Sequence, residues 1–223
     1  MTAKKGTGLL MVWADVPADK EAEFNRWYND EHLAERMSIP GFLSGARYEA
    51  VKGGPKHLAY YELESVDVLK TDAYKRVQNN PTPWTKRAGP AAIATGYIRN
   101  VYTMIHPKAV TERIAGSAMA PALQIGRMDV PAAVDREWND WYSTIYVPNY
   151  EKVPGVIRGR RYRATEGTPT YLTLYEFEHP RVSESAEWKT QQNISPVSAR
   201  MRPHMRHAPG SPGVYVKTVQ LPS

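Results

Sequence analysis

The chain has 223 residues, 42% hydrophobic and 23% charged, an ordinary balance for a globular protein that buries about 70% of its unfolded surface. It has no cysteine, which excludes disulfides, thiolate catalysis and Cys-ligated metal and fits a reducing compartment. The net charge of +6 concentrates at Arg158, Arg160, Arg161 and Arg163 and again at Arg200, Arg202 and Arg206; no zinc-finger spacing, KH-type glycine loop or RNP aromatic run accompanies it, so nucleic acid is not expected. Met1 to Gly8 holds Lys4 and Lys5 but no apolar core of a secretion signal. No stretch approaches the roughly 20 apolar residues of a membrane span. A soluble, cytoplasmic chain without a membrane partner is expected.

Leu9 to Asp15 reads as a strand ended by Val16-Pro17, since proline cannot donate to a ladder. Asp19 stands where an N-cap would for a helix through Glu21, Phe24, Trp27 and Tyr28. Pro40-Gly41 signals a turn, after which a second strand runs to about Ala50. Gly53-Gly54-Pro55 makes a hairpin-like connection to a third strand. A second helix is expected around Val66 to Gln78, followed by a proline-rich stretch and a last strand, Tyr97 to Ile105.

The same order then recurs at a shift of 114 positions, without a gap. Asp15-Val16-Pro17 returns as Asp129-Val130-Pro131, and Asn25, Trp27 and Tyr28 as Asn139, Trp141 and Tyr142. Pro40-Gly41 returns as Pro154-Gly155, Arg47-Tyr48 as Arg161-Tyr162, and Leu58 to Glu64 as Leu172 to Glu178. The fold class is α+β: two tandem ferredoxin-like β-α-β-β-α-β repeats, 8–105 and 119–221, joined by a linker at 106–118. One such sheet has helices on one face only. Two bare faces meeting would form one pseudo-two-fold, eight-stranded α/β barrel with helices outside. Such a barrel is competent as a monomer, with a homodimer still open, and an apolar pocket is expected between the facing sheets.

Trp27-Tyr28-Asn29-Asp30-Glu31-His32-Leu33, then Ile39-Pro40-Gly41-Phe42, then Arg47-Tyr48, resembles the EthD-like branch of the dimeric α/β-barrel superfamily. Both halves carry the resemblance, but the second has Ile145 and Tyr146 in place of Glu31 and His32. The superfamily includes cofactor-free isomerases, polyketide cyclases, small monooxygenases, haem-using enzymes and members without a known reaction. Fold analogy alone therefore assigns no reaction.

His32 leads the candidates. Phe24, Tyr28 and His32 share one helix stripe, and Trp138, Tyr142 and Tyr146 occupy it in the second half. Pro148 suggests that the helix ends just beyond, which would place His32 near a helix C-terminus and beside Glu31, both favouring imidazolium. A packed structural histidine is the competing reading. Glu31, His32 and Glu35 could also be read as metal ligands, but adjacent residues diverge on a helix and a metal wants three or four ligands. Tyr60, whose counterpart is Leu174, either lines a cavity or fills the core. Arg47 and Arg161 either pair with the repeated Glu62 and Glu176 or bind substrate. Arg127 replaces Trp13 in a central strand, where a charge needs a partner or a ligand.

The expected activity is that of a cofactor-independent lyase, isomerase or cyclase acting on a small hydrophobic or aromatic, anionic molecule. His32 would be the general acid/base, steered by Glu31, with Tyr28 or Tyr60 stabilising developing charge. Trp13, Arg47, Arg127 and Tyr146 would hold the substrate, and no cofactor or metal is assigned. Two alternatives stand beside it: a non-catalytic ligand-binding or accessory protein, and a haem- or oxygen-dependent monooxygenase.

Overall fold

Alternating apolar residues and turn signals produce the expected strands: β1 (Gly8–Asp15), β2 (Phe42–Lys52), β3 (His57–Leu63), β4 (Gly96–His106), β5 (Ala122–Asp129), β6 (Val156–Glu166) and β7 (Tyr171–Phe177). A two-residue β8 (Arg206–His207) and a final β9 (Gly213–Leu221) complete the set. The structure, a computed structural model, describes residues 3–222. Every pairing is antiparallel. The first half orders its strands β4-β1-β3-β2, and the second orders them β9-β5-β7-β6. Pairing of β2 with β9 and of β4 with β6 joins the halves at both edges, so eight strands close into a barrel. Closure leaves only the two-residue β8, paired with β5 alone, as an edge among the described strands.

Strand alternation sends Leu9, Met11 and Trp13 inward and Leu10 and Ala14 outward. The inner set meets Tyr48, Tyr60, Tyr102, Tyr162, Leu123, Leu172, Leu174 and Tyr215 in one cluster, every member 4% exposed or less. An eight-stranded barrel is just wide enough for side chains to fill. Here large aromatics fill it. The pocket expected between the facing sheets is therefore replaced by packed core.

Outside the barrel each half carries its own helices over its own sheet. In the first, Ala18–Trp27 runs through a π-helical turn, Tyr28–His32, into Leu33–Met37. The Leu33 amide bonds Tyr28 O, the i→i−5 pattern of a π-turn. The second half repeats it: Asp135–Trp141, a π-turn at Tyr142–Tyr146, then Val147–Tyr150, with Val147 N on Tyr142 O. Pro148 thus falls in the turn after the π segment, where its missing N–H is tolerated, and does not end the helix. His32 accordingly sits inside a continuous rod that runs to Met37, not at its C-terminus. Asp19 lies in the first turn after Pro17, where it complements the helix dipole, and makes no capping bond.

The expected second helices are broken. Val66–Lys70 is a 3₁₀ turn and Asp72–Asn79 the α-helix, capped by Thr71 through Tyr74 N. The proline-rich stretches are helical: Pro83–Ala88, Pro90–Ile93 and Pro196–Met201 each begin on a proline, whose fixed φ suits N1. Segment 106–118 holds a short helix, Glu112–Ala115, and is tied to the N-terminal segment by Lys4 N on Ala115 O and Lys5 Nζ on Ala118 O.

Candidate functional site

Inside the barrel, the charged groups are paired with one another, while the Tyr162 hydroxyl has no hydrogen-bond partner. Arg160 Nη2 lies 2.5 Å from Glu62 Oε1 and 2.7 Å from Glu176 Oε1, all three residues 1% exposed or less. The Tyr60 hydroxyl bonds Glu62 Oε1 and accepts from Arg160 Nη2 at 2.7 Å. Lys5 Nζ lies 3.6 Å from Glu176 Oε2. The expected pairing of Arg47 and Arg161 with the two glutamates is thus wrong by one residue on the second strand: Arg160, whose counterpart is Ala46, bridges both. Tyr60 belongs to this network and to the packed core. At the other end Arg127 stacks on Trp13, 4.8 Å from the ring, and caps on Pro209 O, so these two proposed substrate contacts hold each other.

Cavities instead lie between helices and the outer sheet face, one in each half. The first, ≈220 Å³, has Tyr28, His32, Arg36, Tyr61, Tyr74 and Gln78 in its wall. The second, ≈340 Å³, has Tyr142, Tyr146, Tyr150, Tyr175, Trp188 and Gln192, each 114 positions further on. Gly126 stands where the first half has Val12, which opens the floor of the larger cavity. Both π-turns face these cavities and aim their aromatic and histidine side chains at the sheet.

His32 is 9% exposed, stacked on Trp27 at 4.5 Å and edge-on to Tyr28 at 5.0 Å. Its Nδ1 lies 3.2 Å from Glu35 Oε2, out of line for a good hydrogen bond, while Nε2 accepts from Arg36 Nε at 3.4 Å. That arrangement places the proton on Nδ1 and a lone pair on Nε2. Burial lowers the imidazole pKa, Glu35 opposes, and Arg36 adds to the lowering. The ring is therefore neutral at pH 7, the reverse of the imidazolium expected from a helix terminus. Glu31 does not steer it. The Glu31 carboxylate turns to Thr82 Oγ1 at 2.6 Å and Thr85 Oγ1 at 3.3 Å, and Glu35 takes the role.

Tyr28 is fully packed beneath the guanidinium of Arg47, whose Cζ lies 4.7 Å from its ring, and burial raises its pKa. Arg47 donates to Asn29 Oδ1 at 2.9 Å and Asn25 Oδ1 at 2.8 Å, which makes it a clasp between helix and β2. Tyr146 does line the second cavity, 3.2 Å from the Tyr150 hydroxyl. Thr173 Oγ1 and Tyr175 Oη near the Tyr142 hydroxyl, and Arg202 Nε, are buried without a well-formed hydrogen bond. His207 lies on β8 at the rim of this cavity. Arg36 and Gly126 were not singled out from sequence, and Glu35 was weighed only as a metal ligand; Gly126 was visible as the place where the branched Val12 of the first strand is lost altogether.

Among the described residues one group, Glu21, Glu49 and His57, places three metal-type ligand atoms within 4.8 Å of one another. Lys56 Nζ on Glu21 and Arg47 Nη2 facing His57 Nδ1 already supply cations there. Glu31, His32 and Glu35 form no such group, since Glu31 points away. A haem does not fit either cavity, the larger of which is at the low end of the ~300–1,000 Å³ typical of drug-sized ligands.

The chain matches no family model and no curated protein sequence. Solved structures do share its architecture. An anthrone oxidase-like protein superposes with TM-score 0.66 at 13% identity, covering 99% of this chain and 94% of that one. A proposed monooxygenase of Fusobacterium nucleatum subsp. nucleatum gives 0.60 at 11% identity, over 96% and 94%. Chlorite dismutase from Candidatus Nitrospira defluvii, in complex with imidazole, gives 0.59 at 13% identity, over 97% and 92%. The chain shares the α/β-barrel fold of these structures, the fold that the resemblance read from Trp27–Leu33 implied. At these identities the likeness is one of fold, and none of the three is described as a lyase, isomerase or cyclase. No helix among the described residues is long and apolar enough to cross a membrane.

Proposed function

We propose that the first-half cavity is the site of an oxygen-dependent oxidation of a small, flat phenolic or anthrone-type molecule, begun by proton abstraction at His32. The observation that carries this is the neutral imidazole at the cavity wall, its Nε2 lone pair beside Arg36 and its Nδ1 beside Glu35. A base must be unprotonated at working pH, and burial keeps His32 so. Arg36 moves off Nε2 to the substrate oxygen as Nε2 takes the proton, and Glu35 stabilises the imidazolium. Arg36, whose Nη1 is buried without a partner, stabilises the enolate or phenolate oxygen. Tyr28 and Tyr61 supply a phenolic wall against which a flat ring stacks. The resulting electron-rich anion is oxidised by dioxygen: anthrone + O₂ → anthraquinone + H₂O.

The same reading takes the chain as a tandem duplication in which 8–105 and 119–221 are related by a pseudo-two-fold axis. Strand order, π-turns and cavities that recur at one offset support this. Only one copy kept the histidine.

Anthrone under air is the test substrate, with oxygen uptake and anthraquinone absorbance as readouts. Wild type should consume one O₂ per quinone formed. His32→Ala should lose about 10²–10⁴-fold in turnover while keeping its melting temperature within a few degrees. Turnover unchanged in His32→Ala would refute the assignment. A second reading, binding without chemistry in the roomier second cavity, is favoured by its unpaired Thr173, Tyr175 and Arg202 atoms. It expects anthraquinone to bind and anthrone to survive.

A further inference from the structure

A surface cleft of ≈410 Å³ opens in the second half between β6 and the helix Asp135–Trp141, apart from both sheet–helix cavities. Its inner wall is Arg161, 1% exposed. The guanidinium is clasped between the Trp138 and Tyr142 rings, 4.8 and 4.4 Å away. All its hydrogen bonds go to neutral groups: Nη1 to Asn139 O at 3.1 Å and Ser143 Oγ at 2.7 Å, Nη2 to Asn139 Oδ1 at 2.8 Å. Nε is buried and has no partner. Burial lowers the Arg161 pKa to about 10, with the surrounding tyrosines and Asp135 opposing. A buried charge in this condition calls for a counter-charge.

The cleft rim sharpens the point. Lys108, Arg136 and Arg163 line it with Arg161, against two carboxylates, Asp135 and Asp140. Asp135 is engaged by the Tyr171 hydroxyl at 2.6 Å. The corresponding place in the first half is neutralised internally. There Glu49 stands where the second half has Arg163, and Glu21 and Glu49 lie 3.4 and 3.8 Å from His57. One position has reversed its sign, and the buried arginine beside it has lost a nearby carboxylate.

We propose that this cleft binds the oxyanion group, carboxylate or phosphate, of a small molecule, with Arg161 Nε and the Arg163 guanidinium as its donors. Arginine's planar fork matches both groups, and such charge-assisted bonds are about twice as strong as neutral ones. The site is independent of the oxidation proposed for the first half, and its test needs no turnover.

The ¹⁵N side-chain resonance of Arg161 Nε–H is followed while inorganic phosphate or benzoate is added to the full chain at constant ionic strength. A saturable shift is expected, stronger with phosphate if the natural group is a phosphate and with benzoate if it is a carboxylate. Arg163→Glu, which installs the first-half residue at an exposed position, should weaken binding at least tenfold with an unchanged melting curve. Arg113→Glu, the same charge change at an exposed residue of a separate cleft lined by His106 and Glu151, should leave it unaltered. No saturable shift with either anion, or equal weakening by both variants, would mean diffuse attraction to a basic protein and would overturn the site.

Discussion

Arg160→Met removes the one guanidinium that bridges two buried carboxylates and so measures what holds the barrel interior together. Glu62 is 0% and Glu176 1% exposed, so bulk solvent does not reach the carboxylates left behind. Glu176 keeps Arg158 Nε at 3.3 Å and Lys5 Nζ at 3.6 Å, whereas Glu62 keeps only the Tyr60 hydroxyl. Stripping one partner from a buried pair typically costs about 3–5 kcal/mol. For a chain of this length that is a fall of about 6–20 °C in melting temperature. The pH dependence makes the reasoning specific. A stranded carboxylate has its folded pKa raised above the unfolded ~4.3, so its penalty is absent below that value and grows as pH rises. In the wild type, burial pushes the Glu176 carboxyl up, but Arg160 and Lys5 outweigh it and hold the pKa low, so that its contribution is lost as pH falls. Both effects shrink the gap between wild type and variant towards pH 4.5. Urea denaturation followed by tryptophan fluorescence at pH 7 and 4.5 reads it. A gap under about 1 kcal/mol at pH 7, or one that does not change with pH, would refute the account; Arg160→Met with Glu62→Leu should recover much of the loss.

His32 carries a second pH signature: with its folded pKa lowered by burial, its contribution is complete above the unfolded ~6.5 and is lost as pH falls through the folded value. His32→Gln should therefore lose less stability than wild type between pH 7 and pH 5, and identical acid profiles by thermal melting would contradict this. Gly126→Val copies the first-half residue into the floor of the larger cavity; its new Cβ meets the far end of the Met128 side chain, Cε, at 2.9 Å and His207 Cε1 at 3.9 Å, so folding should survive. Anthraquinone binding to the second cavity, followed by fluorescence quenching, should then fall at least tenfold with anthrone turnover intact. Loss of turnover instead would move the chemistry to the second half.

Strands, their order and the barrel were legible because a period-2 pattern and proline-glycine punctuation are local, and because every signal occurs twice. The position of the cavity was not. A bare sheet face reads the same whether it will line a hollow or be filled. Trp13, Tyr48, Tyr60 and Tyr162 fill it because eight strands enclose only enough space for their own side chains. His32 was correctly found as a buried residue of a shared stripe, yet its partner was misread. Sequence adjacency favoured Glu31, whereas the helix path through the π-turn brings Glu35 to Nδ1 and Arg36 to Nε2.

By itself the sequence determined an α+β chain whose strands are apolar on both faces, so that helices cover one face and more sheet must cover the other. Tertiary structure alone decided which charges meet: Arg160 rather than Arg47 or Arg161 reaches Glu62 and Glu176. The reason is geometric. Strand alternation sends neighbouring arginines to opposite faces, and only closure of the barrel shows which face holds the acids and which the asparagines.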